Sequence, residues 1–391
     1  MYNETMRPEL RRRWENLRSA LAGQGGDALL VTTNVNLFYV SGRVFNGMAY
    51  FVPDGDPLFF VRRPVGLAGD DVIYIRKPEE IAERLAERGL PLPETLFIES
   101  DSVPYSDYLR YEKIFRPAKV GNGTRLLRGV RSVKTPYEIA RMRESGRLHA
   151  EVYRQIPSLY RPGMTDIELS AAIEHLSRKL GSLGIFRIFG QSMEIFAGSL
   201  LAGDNADAPS PYDFALGGAG LDGSLPVGGN GTRLSDGMSV MVDLGGNFTG
   251  YITDMTRVFS VGRLPDIAYR AHETALRIER AVIDSAGPGT PAADLYELAR
   301  RIASEAGLAD YFMGHRQQAG FVGHGIGIEI NESPVLAPRS KDVLRPGMVF
   351  ALEPKFVIPS VGAVGIENSL AVTDSGLERL TLLEEAILPL G

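Results

Sequence analysis

Leu234-Ser-Asp-Gly237-Met238-Ser-Val-Met-Val-Asp243 returns later in the chain as Leu344-Arg-Pro-Gly347-Met348-Val-Phe-Ala-Leu-Glu353. In both copies a turn and a Gly-Met pair lead into an apolar run that reads as a strand, and an acid follows six residues after the glycine. A second carboxylate comes on each returning strand: Asp254 in Tyr251-Ile-Thr-Asp254, and Glu367 in Val364-Gly-Ile-Glu367. Two hairpins with two acids each imply a pseudo-twofold arrangement in which four carboxylates converge. The preceding helices repeat as well, since Pro162-Gly-Met-Thr165-Asp-Ile-Glu168-Leu matches Pro288-Gly-Thr290-Pro-Ala-Ala-Asp294-Leu. Thr165 with Glu168 is a capping-box pattern, and Thr290 before Pro291 reads as an N-cap followed by proline at the first helical position.

One histidine joins the acids. His324 is flanked by Gly323, Gly325 and Gly327, residues that let backbone approach a ligand closely. A lone acid at a strand end is ordinarily solvated or capping, and a lone histidine is ordinarily a core residue. Asp243, Asp254, His324, Glu353 and Glu367, in strand settings and in duplicated order, read instead as a two-metal hydrolase site. Hard carboxylate oxygens with one imidazole suit Mn, Co, Fe or Zn. Of the five histidines, His149, His175 and His272 fall in helical patterns, which leaves His315 as the candidate auxiliary group. Arg257 reads equally as a structural ion-pair partner and as a substrate contact.

Composition bounds the class. With 391 residues, 44% hydrophobic content and a net charge of −6, the chain reads as a soluble globular protein of two domains. The acidic balance argues against a nucleic-acid surface. A polar start leads directly into a helical pattern, no apolar spanning segment follows, and the expected location is cytoplasmic. The absence of cysteine excludes disulfides and thiolate ligands. Gly218-Ala-Gly220-Leu-Asp-Gly223 matches the dinucleotide fingerprint formally, but without a strand before it or a helix after it the run reads as loop.

Residues 1–125 read as a smaller α/β domain. Arg11–Leu21 is an amphipathic helix, Asp27–Thr32 a buried strand, and Tyr50–Val61 a hairpin turning at Asp54-Gly55. A helix at Glu79–Glu87 and a strand at Leu96–Ile98 continue the alternation, and Arg116–Pro136 reads as the connection. A long helix from Tyr137 to Leu159 then opens the catalytic domain, residues 126–391 with that connection.

Several of these motifs carry a family resemblance. Arg131-Ser-Val-Lys134-Thr-Pro-Tyr-Glu138, Asp243 with Asp254, Gly323-His324-Gly-Ile-Gly327, Glu353-Pro354 and Gly365-Ile-Glu367-Asn resemble the M24 metallopeptidases, the group of methionine aminopeptidase, aminopeptidase P and prolidase. Asp27-Ala-Leu-Leu-Val and Asn36-Leu-Phe-Tyr39-Val-Ser-Gly42 resemble the leading domain of the prolidase and creatinase branches. The resemblance implies a pita-bread catalytic fold behind a creatinase-like N-terminal domain. It implies two divalent ions (Mn, Co or Zn), with Asp243 on one, Asp254 and Glu367 bridging both, and His324 and Glu353 on the other. It makes Glu353 the acid/base partner of the bridging water. The implied activity is an Xaa-Pro aminopeptidase or dipeptidase acting on short peptides, in a homodimer.

The departures are equally specific. Asn331 stands in Asn331-Glu332-Ser333-Pro334 where the peptidases carry a substrate-facing histidine, Val227 stands where an earlier histidine precedes the first metal-binding Asp, and Gly365 replaces an arginine common in proline-directed enzymes. Asn331, Val227 and His315 are therefore the candidate substrate-side positions. Two alternatives to the peptidase stay open: a creatinase-like amidohydrolase, and a catalytically weak, metal-stabilised peptide-binding protein.

Overall fold

The structure, a computed structural model, describes every residue except 1–3, 191, 192, 194 and 195, so the first polar residues lie outside the described ones. The chain divides into two compact units, Met1–Arg131 and Ser132–Gly391.

The first unit is a mixed α/β layer. Helix α1 (Arg7–Gly23) buries Leu10, Trp14, Leu17 and Leu21, the stripe that helical spacing predicts. Strand β1 (Ala28–Val31) is buried throughout, and α2 (Asn34–Ser41) is capped by the Thr33 side chain at one end and by Gly42, in the left-handed region, at the other. Strands β2 (Asn46–Phe51) and β3 (Leu58–Arg63) form the expected antiparallel hairpin. They are followed by β4 (Val72–Tyr74), α3 (Glu80–Ala86), β5 (Thr95–Ile98), α4 (Tyr105–Phe115), β6 (Lys119–Asn122) and α5 (Gly123–Arg131). One six-stranded sheet results, in the order β4-β3-β2-β1-β5-β6. The stretch read from sequence as a connection thus carries a strand, parallel to β5, and a helix. Its Gly-Asn-Gly run hides the short edge strand from any periodicity argument.

The second unit repeats an order of two helices followed by antiparallel strands. The first copy is α6 (Pro136–Leu159), α7 (Asp166–Lys179), β7 (Gly198–Ala202), β8 (Ser239–Asn247) and β9 (Ile252–Ser260). The second is α8 (Asp266–Ser285), α9 (Ala292–Glu305), β10 (Gly323–Gly325), β11 (Glu332–Leu336), β12 (Val349–Leu352), β13 (Lys355–Ile358), β14 (Gly362–Gly365) and β15 (Asn368–Thr373), with β16 (Gly376–Arg379) and β17 (Leu388–Pro389) closing the chain. The sheets run β17-β9-β8-β7 and β11-β10-β12-β15-β16, and β13 and β14 form a separate two-stranded sheet. Capping boxes form at Thr135/Glu138 and Thr165/Glu168. The matching expectation at Thr290 shifts by one residue: Pro291 takes the N-cap position of α9, and Thr290 Oγ1 accepts from Gly287 N at 3.1 Å. Among the described residues no helix is long and apolar enough to cross a membrane.

Candidate metal centre

The duplicated strands bring the five expected residues together. Asp243 lies on β8, Asp254 on β9 and His324 on β10, Glu353 directly follows β12, and Glu367 directly precedes β15. The two sheets meet here, because Thr256 and Glu367 exchange main-chain hydrogen bonds of 3.3 Å in both directions, and Thr256 Oγ1 donates to Glu367 Oε2 at 2.6 Å. Ser369 Oγ bridges the same seam, accepting from Asp254 N at 2.8 Å and donating to Asp254 O at 2.9 Å. Arg257, 1% exposed, resolves as structural: it donates to the carbonyls of Thr256 (2.8 Å), Glu367 (3.0 Å) and Glu384 (2.8 Å) and to Asn368 Oδ1 (2.9 Å).

The His324 loop is fixed from below by Glu332. Its Oε1 accepts from the main-chain N–H groups of Ile328 and Glu329 at 3.1 Å, and its Oε2 pairs with Lys134 Nζ at 3.0 Å, both side chains being buried. Glu332 belongs to the Asn-Glu-Ser-Pro string, but its part in holding the loop is visible only in three dimensions.

Among the described residues two triads have ligand atoms close enough to share an ion: Asp254, His324 and Glu367, and Asp243, Glu353 and Glu367, with the atoms of each within 4.8 Å of one another. Ligands on opposite sides of an ion with bonds of about 2.0–2.2 Å lie up to about 4.4 Å apart, so either triad closes on an ion with small side-chain shifts. The electrostatics call for positive charge. Burial first, then the charges of Glu367, Asp243 and Glu353, hold the Asp254 pKa well above the usual carboxylate range. Burial raises Glu353 too, and pushes Glu367 up to about 8 against the pull of Lys355. Burial lowers the His324 pKa and keeps the imidazole neutral, the form that binds metal.

Lys355 is the residue that sequence reading missed. It opens β13, is fully buried, and places Nζ at 2.8 Å from Asp243 Oδ2, 2.6 Å from Glu353 Oε2 and 3.1 Å from Glu367 Oε2. Burial works against its charge, but these three carboxylates outweigh burial and hold its pKa well above the ordinary amine value. The signal was a lysine directly after Glu353-Pro354, heading the otherwise apolar run Phe356-Val-Ile358. Tested against a pair of ions, the residues divide. The Asp254–His324–Glu367 set fits one divalent ion, whereas every member of the other set already bonds an ammonium.

The remaining candidates belong to neither triad. His315 Nδ1 bonds Asp207 Oδ2 at 2.9 Å, and Arg316 N donates to the other oxygen at 2.9 Å. Both ends of the Asn331 amide clamp Phe189, donating to its carbonyl and accepting from its N–H at 2.7 Å. Val227 is 2% exposed, inside the glycine-rich loop. Gly365 lies opposite Lys355 in the β13–β14 ladder at φ 145, where a Cβ would collide with the Pro354 carbonyl and lie 2.7 Å from Lys355 Cα, so an arginine has no room. A cavity of about 330 Å³ begins one residue past Asp243, lined by His149, Phe186, Phe196, Leu244, Gly245 and Phe248 among others.

Comparison with known proteins places this geometry. The model of the metallopeptidase family M24 matches residues 140–374, and that of the creatinase/prolidase N-terminal domain matches residues 13–133. The chain is 27% identical to the uncharacterized peptidase YqhT of Bacillus subtilis over 94% of this chain and 97% of that one. It is 26% identical to the Xaa-Pro dipeptidase of Pyrococcus furiosus over 97% of this chain and 100% of that one. The solved structure of an Xaa-Pro dipeptidase from Bacillus anthracis superposes with a TM-score of 0.79 at 25% identity, covering 97% of this chain and all of that one. The chain belongs to metallopeptidase family M24, its pita-bread unit preceded by a creatinase-like N-terminal domain.

Proposed function

We propose that this chain is a metal-dependent hydrolase that cleaves the N-terminal peptide bond of short peptides, with Xaa-Pro dipeptides and tripeptides as its substrate class. The observation that carries the reading is the donor set of Asp254, His324 and Glu367 beside the buried Glu353, in a chain of the M24 family. A divalent ion held by the three donors would act as a Lewis acid and lower the pKa of a water toward neutrality. Glu353 does the proton work. Its Oε2 is held by Lys355, while Oε1 lies 3.5 Å from His324 Nε2 and is the atom that takes a proton and returns it to the departing amine. Asp243, bound to Lys355, completes the charge balance. The imidazole and carboxylate donors suit Mn, Co or Zn.

The cavity beside β8 suits an apolar side chain of the substrate, and Phe186→Ala should then raise KM with little change in kcat. A cytoplasmic setting is part of the proposal, as is a homodimer, the latter on the family resemblance alone, and light scattering tests the homodimer.

A non-peptidase amidohydrolase, or a weak peptide-binding protein, is the second reading. Lys355 inside the donor cluster favours it, as do Val227 and Asn331 at the positions where the family resemblance implies imidazoles. Assays on Xaa-Pro peptides and on small guanidino and amide compounds, with and without chelator, decide between them. Peptide hydrolysis that stops on chelation and returns with Mn, Co or Zn supports the first reading. Turnover of small amides alone, indifferent to chelator, contradicts it.

A further inference from the structure

The Gly-Met repeat sets Gly245 against Lys355, because each lies two positions past the acid of its copy. The first copy has no side chain there, whereas the second sends an amine into the site. An unpaired buried charge is costly, and such groups persist only when paired and hydrogen-bonded. Lys355 meets that condition in full: an ammonium has three donors, and its three partners are Asp243, Glu353 and Glu367. Those partners are also the whole of the second ligand triad. An ion bonded to the same oxygens at about 2.0–2.2 Å would lie against the ammonium, and the two cations exclude each other.

The charge count agrees. With a dication bound the acids are deprotonated, so Asp243, Asp254, Glu353 and Glu367 bring four negative charges, and Lys355 offsets one. One dication on the open triad leaves a single negative charge, whereas two dications beside the ammonium would leave the site net positive. Glu367 also has room for both roles, since Oε2 accepts from Lys355 and Thr256 while, among the described residues, Oε1 carries no hydrogen bond.

We propose that the Lys355 ammonium takes the place of the second ion, so that the centre holds one divalent ion, on Asp254, His324 and Glu367, beside one fixed protein cation. The proposal rests on the metal-site part of the functional reading and on no choice of substrate. Lys355 also holds Glu353 Oε2 and thereby turns Oε1 toward His324.

The test is ion stoichiometry. Full-length protein is equilibrated with excess Mn(II), freed of unbound ion by gel filtration and measured by elemental analysis. Wild type should hold one ion per chain and Lys355→Met two, a twofold rise. Asp243→Asn should still hold one, because Asp243 serves the ammonium, and Asp254→Asn none. Two ions in wild type, none in wild type, one in a folded Lys355→Met, or loss of the ion in Asp243→Asn each overturns the proposal. If Lys355→Met fails to fold, the wild-type count and the contrast between the two aspartate variants decide. Peptide assays are scored separately, so a chain with one ion and no peptidase activity upholds this inference and removes the peptidase reading.

Discussion

The two copies of the catalytic unit start from the same Gly-Met turn and then part company. In the first, β8 and β9 pair without interruption from Ser239 opposite Ser260 to Asn247 opposite Ile252, and Asp243 and Asp254 project from a regular ladder. In the second, the strand breaks at Pro354, which has no N–H to donate, and the chain detours through β13 and β14 before β15 resumes the sheet. The detour carries Lys355 into the site opposite a glycine that leaves it room. The first copy is thus held by main-chain hydrogen bonds. The second depends on buried charge, with Lys355 on three acids and Lys134 on Glu332. Duplication preserved the acids, and one side chain altered what they bind.

The largest effect expected from this contrast is at the open triad. Asp254→Ala removes the ion and should bring peptide hydrolysis to background, losing the several kcal/mol a metal contributes to transition-state stabilisation; elemental analysis and a turnover assay on one sample check both. Next is the buried pair beneath His324. Glu332→Ala leaves Lys134 buried without its partner and frees the loop amides, and should cost about 3–5 kcal/mol in urea unfolding, because breaking a buried pair costs more than the pair contributes. A comparable loss from an exposed pair such as Arg143–Glu378 would erase the distinction between buried and surface charge drawn here.

Glu353→Gln separates proton transfer from ion binding. It should lower kcat by about 100-fold or more while the ion count stays at the wild-type value. Loss of the ion in this variant would make Glu353 a ligand in its own right.

The smallest effect belongs to the first copy. His149 packs under Gly246 and is fully buried, and burial pushes its pKa down to about 3 from 6.5. The native imidazole therefore stays neutral where the unfolded one protonates. Its contribution to stability is intact above pH 6.5 and is lost as pH falls through about 3. His149→Phe should flatten the acid limb of a Tm-against-pH curve in that window, and an unchanged limb would mean that other groups dominate it.

How much of this was legible in the sequence follows from the same physics. The acids, His324, the Thr165/Glu168 capping box and the β2–β3 hairpin could be read because each depends on local spacing. Edge strand β6 and helix α5 were read as a connection because Gly121, Gly123 and Gly129 break the apolar pattern. Asn331 and His315 were found as positions, but not their partners Phe189 and Asp207, which are distant in sequence. Gly365 was noticed as a missing arginine, without the residue facing it. Lys355 escaped because a lysine near a strand end ordinarily reaches solvent, and a four-carbon stem reaching inward to three acids leaves no periodic trace.

Anomalous diffraction from crystals of the wild-type protein grown with Mn(II) or Co(II) tests the central claim most directly. One peak among Asp254, His324 and Glu367, with Lys355 Nζ still on Asp243 and Glu353, is the predicted result. A second peak between Asp243 and Glu353, with the lysine displaced, or no peak among the acids at all, would contradict it.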